Sequence, residues 1–301
     1  MTAAQRDTVE QILRDAPFDL GGDVAVERPL LEQMLTAAPL RADVLTTPGD
    51  LGGVPVIFVE IEGRKPNGTI MYFHGGGFAL GSAHSSVGLV SDLARRAGMN
   101  AVTVEYRLAP EHPYPAALED GTAAYHALLD RVSSADRIVV SGESAGGNLA
   151  IETLIAAKAE GLAMPAAAVV FSPMTDLTVS GASYTSKADV DPNITAQAIS
   201  TRANDYLAGH DSADPLVSPI FADLAGLPPL LIQAGSHEVL LDDATRLAVK
   251  AAADNVAVTL DVTPGVSHVF QAFARLLEEG DDVLSRAARF IRSNTGHEMT
   301  V

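Results

Sequence analysis

The chain is predicted to be an α/β protein: a mostly parallel central sheet covered by helices on both faces. Three observations predict it. Short apolar runs alternate with amphipathic stretches of helical spacing from residue 54 to residue 292, as buried strands joined by crossover helices do. Gly142-Glu143-Ser144-Ala145-Gly146 falls between one such run and one such helical stretch. The 301 residues contain no cysteine, and a chain of this length buries about three quarters of its unfolded surface without any disulfide or metal staple.

In chain order, residues 3–15 and 28–37 read as short helices separated by Pro17 and the Gly21-Gly22 pair. Thr47 to Gly53 reads as a turn-rich connection, and Val54–Ile61 alternates as a strand. The Lys65-Pro66-Asn67-Gly68 turn leads into the strand Thr69–Phe73. Ser85–Gly98 is predicted helical, Ala101–Tyr106 strand, and Ala116–Arg131 helix. Arg137–Ser141 is a strand, Ala145–Ala159 a helix, and Ala167–Phe171 a strand. Leu230–Ala234 and Ala257–Val262 are the last strands, with Val239–Ala253 and Asp281–Arg292 as helices. Thr178 to Pro219 breaks the alternation, being polar with a helical stretch only near Thr195–Leu207. That insert and the N-terminal helices are the two lid candidates. The expected organisation is N-terminal helices over residues 1–45 and an α/β domain over 46–301, with the 178–219 insert joining those helices as a lid.

Charge and composition exclude several partners. The net charge is −18, which repels phosphate backbones and argues against nucleic acid. Without cysteine there are no thiol nucleophiles, disulfides or cysteine metal sites, which suits a reducing compartment. Met1 to Asp15 lacks a basic head followed by an apolar run, and Ala166–Phe171 is too short to span a bilayer. A soluble cytoplasmic protein is therefore expected. Gly75-Gly76-Gly77 is not completed into a Gly-x-Gly-x-x-Gly fingerprint, and no Gly-Lys-Ser/Thr loop or His-x-x-x-His pair occurs. No metal or organic cofactor is expected.

A Gly-x-Ser-x-Gly turn between strand and helix strains the serine backbone and lifts its hydroxyl above the sheet. A hydroxyl needs a positioned base, and the base needs an anion to fix its tautomer. On this fold the acid and then the histidine follow the serine, each after a C-terminal strand. Strand Leu230–Ala234 ends in Gly235-Ser236-His237-Glu238, and strand Ala257–Val262 ends in Pro264-Gly265-Val266-Ser267-His268. His268 is the expected base. His84, His112, His126 and His210 lie away from that loop, His297 sits in the tail, and His237 is the rival. For the acid, Glu238, Asp242 and Asp243 follow the same strand. Glu238 is preferred because Asp242 reads as a first-turn anion favoured by the helix dipole. His74-Gly75-Gly76-Gly77-Phe78 follows strand Thr69–Phe73, where main-chain N–H groups could meet a developing oxyanion. Ala145, just after the serine, supplies a further N–H.

Together, His74–Phe78 and Gly142-Glu143-Ser144-Ala145-Gly146-Gly147 resemble the hormone-sensitive-lipase-like esterases, the HGGG branch of the α/β hydrolases. So do Tyr106–Ala117, Asp214-Pro215-Leu216-Val217-Ser218-Pro219 and Leu227-Pro228-Pro229-Leu230. The resemblance implies an α/β-hydrolase fold with a helical cap. It implies Ser144 as nucleophile, His268 as base, and Gly76, Gly77 and Ala145 as oxyanion donors, with Gly75 forming the turn. The family's Asp-Pro-Leu-x-Asp reads Glu238-Val239-Leu240-Leu241-Asp242 here, which puts Glu238 in the acid's place. Glu143 replaces the family's frequent aspartate as a supporting residue. The implied activity is serine carboxylesterase on short- to medium-chain acyl esters. Two other readings are a catalytically silent ligand-binding module on this fold and a hydrolase of amides, lactones or thioesters. Both a monomer and a homodimer through an edge strand near Ala257–Val262 are compatible with the sequence.

Overall fold

A computed structural model describes residues 2–296; His297 lies outside them. The strands are β1 (Val44–Leu51), β2 (Val54–Ile61), β3 (Thr69–Phe73), β4 (Asn100–Val104), β5 (Ile138–Glu143), β6 (Ala167–Phe171), β7 (Leu230–Gly235) and β8 (Val258–Thr263). They form one sheet in the order β1-β2-β4-β3-β5-β6-β7-β8. The β1–β2 and β2–β4 pairs are antiparallel, and every later pair is parallel. The helices are α1 (Thr2–Arg14), α2 (Val24–Thr36), α3 (Val87–Ala97), α4 (Ala116–Arg131), α5 (Ala145–Ala159), α6 (Ser183–Ser186), α7 (Ala196–Leu207), α8 (Leu241–Ala253) and α9 (Glu278–Asn294).

Apolar runs in β3, β5 and β6 are buried throughout because both faces of the sheet are covered. Alternate residues serve opposite cores. Met71, Val102, Val140 and Val170 pack with Tyr125, Leu149 and Leu247 from α4, α5 and α8. Ile70, Ala101, Val139 and Val169 pack with Val90, Leu93, Leu284 and Ile291 from α3 and α9. This division follows from the two-residue period of a strand.

Two boundaries differ from the sequence reading. Thr47 to Gly53 is not a turn: β1 pairs residue for residue with β2, from Val44 opposite Ile61 to Leu51 opposite Val54. Its side chains are mostly exposed and it holds Pro48, features tolerated on an edge strand that erase the alternating signal. The turn shrinks to Gly52-Gly53, both at positive φ. Helix α2 starts at Val24 rather than residue 28, with Asp23 accepting from the Ala25 N–H as its cap. Pro29 sits inside this helix. β8 stands at the far edge of the sheet, as the strand Ala257–Val262 was expected to.

The β5–α5 junction is the tightest point. Ser144 has φ 55° and ψ −122°, a conformation that costs a non-glycine residue about 1–3 kcal/mol. It persists because Gly142 and Gly146 let helix and strand touch. A Cβ on Gly146 would collide with the carbonyls of Phe73 and His74, and one on Gly142 with the Gly146 carbonyl. Gly146→Ala should therefore cost about 1–3 kcal/mol or more by overpacking. Thermal melting checks this; an unchanged midpoint would contradict the close-contact account.

Candidate active site

Ser144 is buried at the N-terminus of α5, and its cavity of about 130 Å³ is also lined by His268, Gly75 and Gly76. The His268 ring is held from behind: its Nδ1 lies 2.7 Å from Glu238 Oε2. A carboxylate oxygen only accepts, so Nδ1 carries the proton and Nε2 is the free acceptor. Glu238 is fully buried, and its Oε1 accepts from the Gly235 N–H at 2.8 Å. Burial pushes its pKa up, while the hydrogen bond and charge of His268 pull it down. Among the described residues no hydrogen bond joins Ser144 to His268, a looseness common before substrate draws such a pair together.

The rival groups are engaged elsewhere. Asp242 accepts from the Ser183 N–H at 3.0 Å, and Asp243 accepts from the N–H groups of Thr175 and Asp176. Among the described residues neither hydrogen-bonds to His268, which pairs with Glu238. His237 lines a different small cavity with Arg6 and Glu10. His84 pairs with Glu32 and His210 with Asp214, while His112 and His126 are exposed.

The glycine loop is built around a histidine whose part the sequence did not reveal. His74 is buried, its ring stacks on Tyr106 at 4.1 Å, and its Nδ1 donates to the Gly75 carbonyl at 2.8 Å. The Tyr106 hydroxyl donates to the His74 carbonyl at 2.7 Å. Burial pushes the His74 pKa down to about 4, so the ring is neutral and its one N–H is committed to the loop. Gly76 (φ 110°) and Gly77 (φ 64°) adopt backbone conformations that favour glycine. The N–H groups of Gly76, Gly77 and Ala145 have no acceptor among the described residues. Gly75 differs from them: its N–H donates to Glu143 Oε1 at 2.8 Å, which leaves it shaping the turn rather than presenting a free donor.

Glu143 itself is buried beside the serine, and burial pushes its pKa up to about 7 against the pull of the Tyr72 hydroxyl, the Gly75 N–H and the charge of His268. The N-terminal helices and the insert close the apolar side of the cavity with Leu13, Phe18, Leu31 and Met34 from one and Pro192 and Ile194 from the other. They are tied together. Asn193 Nδ2 donates to the Leu13 carbonyl at 2.9 Å, and Arg202 Nη2 donates to the Gly22 carbonyl at 3.0 Å. Arg28 Nε donates to the Ala79 carbonyl, linking α2 to the glycine loop. Among the described residues no cluster of His, Asp or Glu could hold a metal ion, and no helix is long and apolar enough to cross a membrane.

Known proteins are similar to this chain in sequence and fold. A family model described as the alpha/beta hydrolase fold matches residues 70–272. An acetyl-hydrolase from Streptomyces hygroscopicus is 42% identical over 233 residues, 77% of this chain and 78% of that protein. An esterase from Acinetobacter venetianus is 36% identical over 267 residues, 88% of each. A solved esterase from the bacterial hormone-sensitive lipase family has a TM-score of 0.94 at 38% identity, covering 97% of this chain and 99% of that one. The chain thus belongs to the α/β-hydrolase fold family. Within that family it is a member of the hormone-sensitive-lipase-like branch of esterases.

The raised Glu143 pKa has a measurable consequence. Below the ordinary glutamate value of 4.5 the carboxyl is protonated in both folded and unfolded chains. Between there and about 7, the unfolded chain ionises freely while the folded one holds its proton, so stability falls as pH rises. Relative to Glu143→Gln, the parent protein should lose on the order of 3 kcal/mol across that interval, with no further loss above it. Melting temperatures of both proteins from pH 4 to 8 check this; a constant difference would contradict it.

Proposed function

We propose that the chain hydrolyses short- to medium-chain carboxylic esters through a covalent acyl-enzyme on Ser144. The observation that carries this reading is the 2.7 Å contact between Glu238 and His268 Nδ1, with His268 Nε2 left to accept in the cavity of Ser144. His268 takes the serine proton as the hydroxyl attacks the ester carbonyl, and Glu238 stabilises the imidazolium that forms. His268 then protonates the departing alcohol, and water repeats the sequence in reverse.

As the carbonyl becomes tetrahedral its oxygen gains charge. The unclaimed N–H groups of Gly76, Gly77 and Ala145 are the donors for it, each worth about 10²–10³ in rate. Their orientation depends on His74 and Glu143, which fix the Gly75 carbonyl and N–H respectively. The apolar walls from residues 1–45 and from the insert receive the acyl chain, which makes those segments the cap of the catalytic domain. Relatives named acetyl-hydrolase and esterase support an ester substrate. A solved relative at 37% identity was soaked with p-nitrophenyl butyrate, a suitable test substrate here.

Ser144→Ala should reduce p-nitrophenyl butyrate turnover by roughly 10⁴-fold or more; undiminished turnover removes the reading. Glu238→Gln should lower kcat by about 10²–10⁴-fold, while Asp242→Asn retains most activity. The opposite ranking would move the acid to Asp242. Deleting residues 1–40 should change the preference among acetyl, butyryl and octanoyl esters, and an unchanged profile would contradict the cap assignment.

A further inference from the structure

The chain leaves β6 through Phe171-Ser172-Pro173-Met174, and this exit is bonded to Ser144, to Glu238 and to the residue after His268. On one side it holds the backbone of Ser144. The Ser144 N–H donates to the Phe171 carbonyl at 2.9 Å, and the Met174 N–H donates to the Ser144 carbonyl at 3.0 Å. On the other side the Ser172 side chain reaches the two loops that carry base and acid. Its Oγ accepts from the Val269 N–H at 3.1 Å. Its hydroxyl also bonds the Glu238 carboxylate: burial pushes the Glu238 pKa up, and hydrogen bonds from His268 and from Ser172 pull it down. A hydroxyl has one proton to donate and lone pairs to accept with, so a single Oγ serves both loops. Ser172 is 0% exposed, and bulk water does not compete for it.

Both ends of the Ser172–Val269 contact are strained. Ser172 has φ 44° and Val269 has φ 49°, and for a β-branched side chain such a value is an outlier. Strain of this kind persists only where the surroundings over-determine it, and it concentrates at functional sites. Ser172 is fixed by its own N–H, which donates to the Gln233 carbonyl of β7 at 2.7 Å. A glycine at 172 would suit the backbone better, yet it would lack the hydroxyl. The acid and base loops also meet each other directly, through the His237 N–H and the Val266 carbonyl at 3.0 Å. What Ser172 adds is their link to the segment that holds Ser144.

We propose that Ser172 is a positioning residue that sets the Glu238–His268 pair in register with Ser144. The inference rests on the acyl-enzyme reading above, in which His268 takes the serine proton. That transfer needs the imidazole within hydrogen-bond reach of the hydroxyl, and a displacement of about 1 Å costs about 10²-fold in rate. Ser172 is absent from the described residues that line the Ser144 cavity, so it acts through Glu238 and the Val269 backbone rather than on the substrate.

Ser172→Ala and Ser172→Gly in the full-length enzyme test this. Each removes the hydroxyl, and the glycine also relieves the positive φ. With p-nitrophenyl butyrate, kcat should fall about ten- to hundredfold in both, while KM stays within about twofold of the parent. Ser172→Gly should melt no lower than Ser172→Ala, so the lost rate does not follow stability. Positioning through the acid leaves a further signature. Adding Ser172→Ala to Glu238→Gln should lower kcat by less than about threefold beyond Glu238→Gln alone, because residues that act through one contact are not additive. A parental kcat in either single variant, rates that track melting temperature, a full multiplicative loss in the double variant, or failure of both single variants to fold overturns the proposal. Full turnover by Glu238→Gln would instead overturn the reading of the acid, and the role of Ser172 with it.

Discussion

The contact between the β5–α5 turn and the end of β3 is the constraint on which the rest of the site depends. Gly142 and Gly146 allow backbone to meet backbone there, and Ser144 is held at φ 55° between them. The same approach sets the glycine loop, which leaves β3 at Phe73, beside the serine. A Cβ on Gly75 would already stand 3.2 Å from that of Ser144. Ser144 and the glycine loop with its unclaimed N–H groups are therefore two sides of one packing contact. The strain of roughly 1–3 kcal/mol is offset by the two cores that clamp the sheet from either face.

Around that contact lie buried ionisable groups whose charge states follow from their surroundings. His74 is kept neutral by burial and spends its proton on the Gly75 carbonyl. Glu143, pushed up to about 7 by burial, accepts from the Gly75 N–H on the other side of the same turn. Glu238 faces two opposing influences, burial and the adjacent imidazole. Three side chains from separate strands and loops thus orient one short loop and one ring. The N-terminal helices add apolar lining to the cavity, tied to the 178–219 segment through Asn193 and Arg202 and to the loop through Arg28.

Much of this was legible in the sequence because periodicity and order are local. The central strands and their helices stand within a few residues of where apolar runs and glycine turns put them, since burial on both faces leaves an unbroken apolar signal. Ser144, Glu238 and His268 were singled out from their loop positions, and Glu238 contacts His268. Edge strand β1 was read as a turn because Thr46-Thr47-Pro48-Gly49 is exposed and pairs on one side only. Helix α2 begins at Val24 rather than residue 28, its start marked by the Asp23 cap. The use of His74 depends on Tyr106, 32 residues further on, and the commitment of the Gly75 N–H depends on Glu143, 68 residues further on. No local pattern encodes such a meeting.

The most direct measurement is covalent trapping with diethyl p-nitrophenyl phosphate, followed by peptide mass spectrometry of the inactivated enzyme. A hydroxyl activated by His268 and flanked by oxyanion donors should capture one phosphoryl group per chain, located on Ser144. His268→Ala should abolish that capture while leaving the fold intact. Phosphorylation of another residue, or none at all in an enzyme that still hydrolyses esters, would contradict the account.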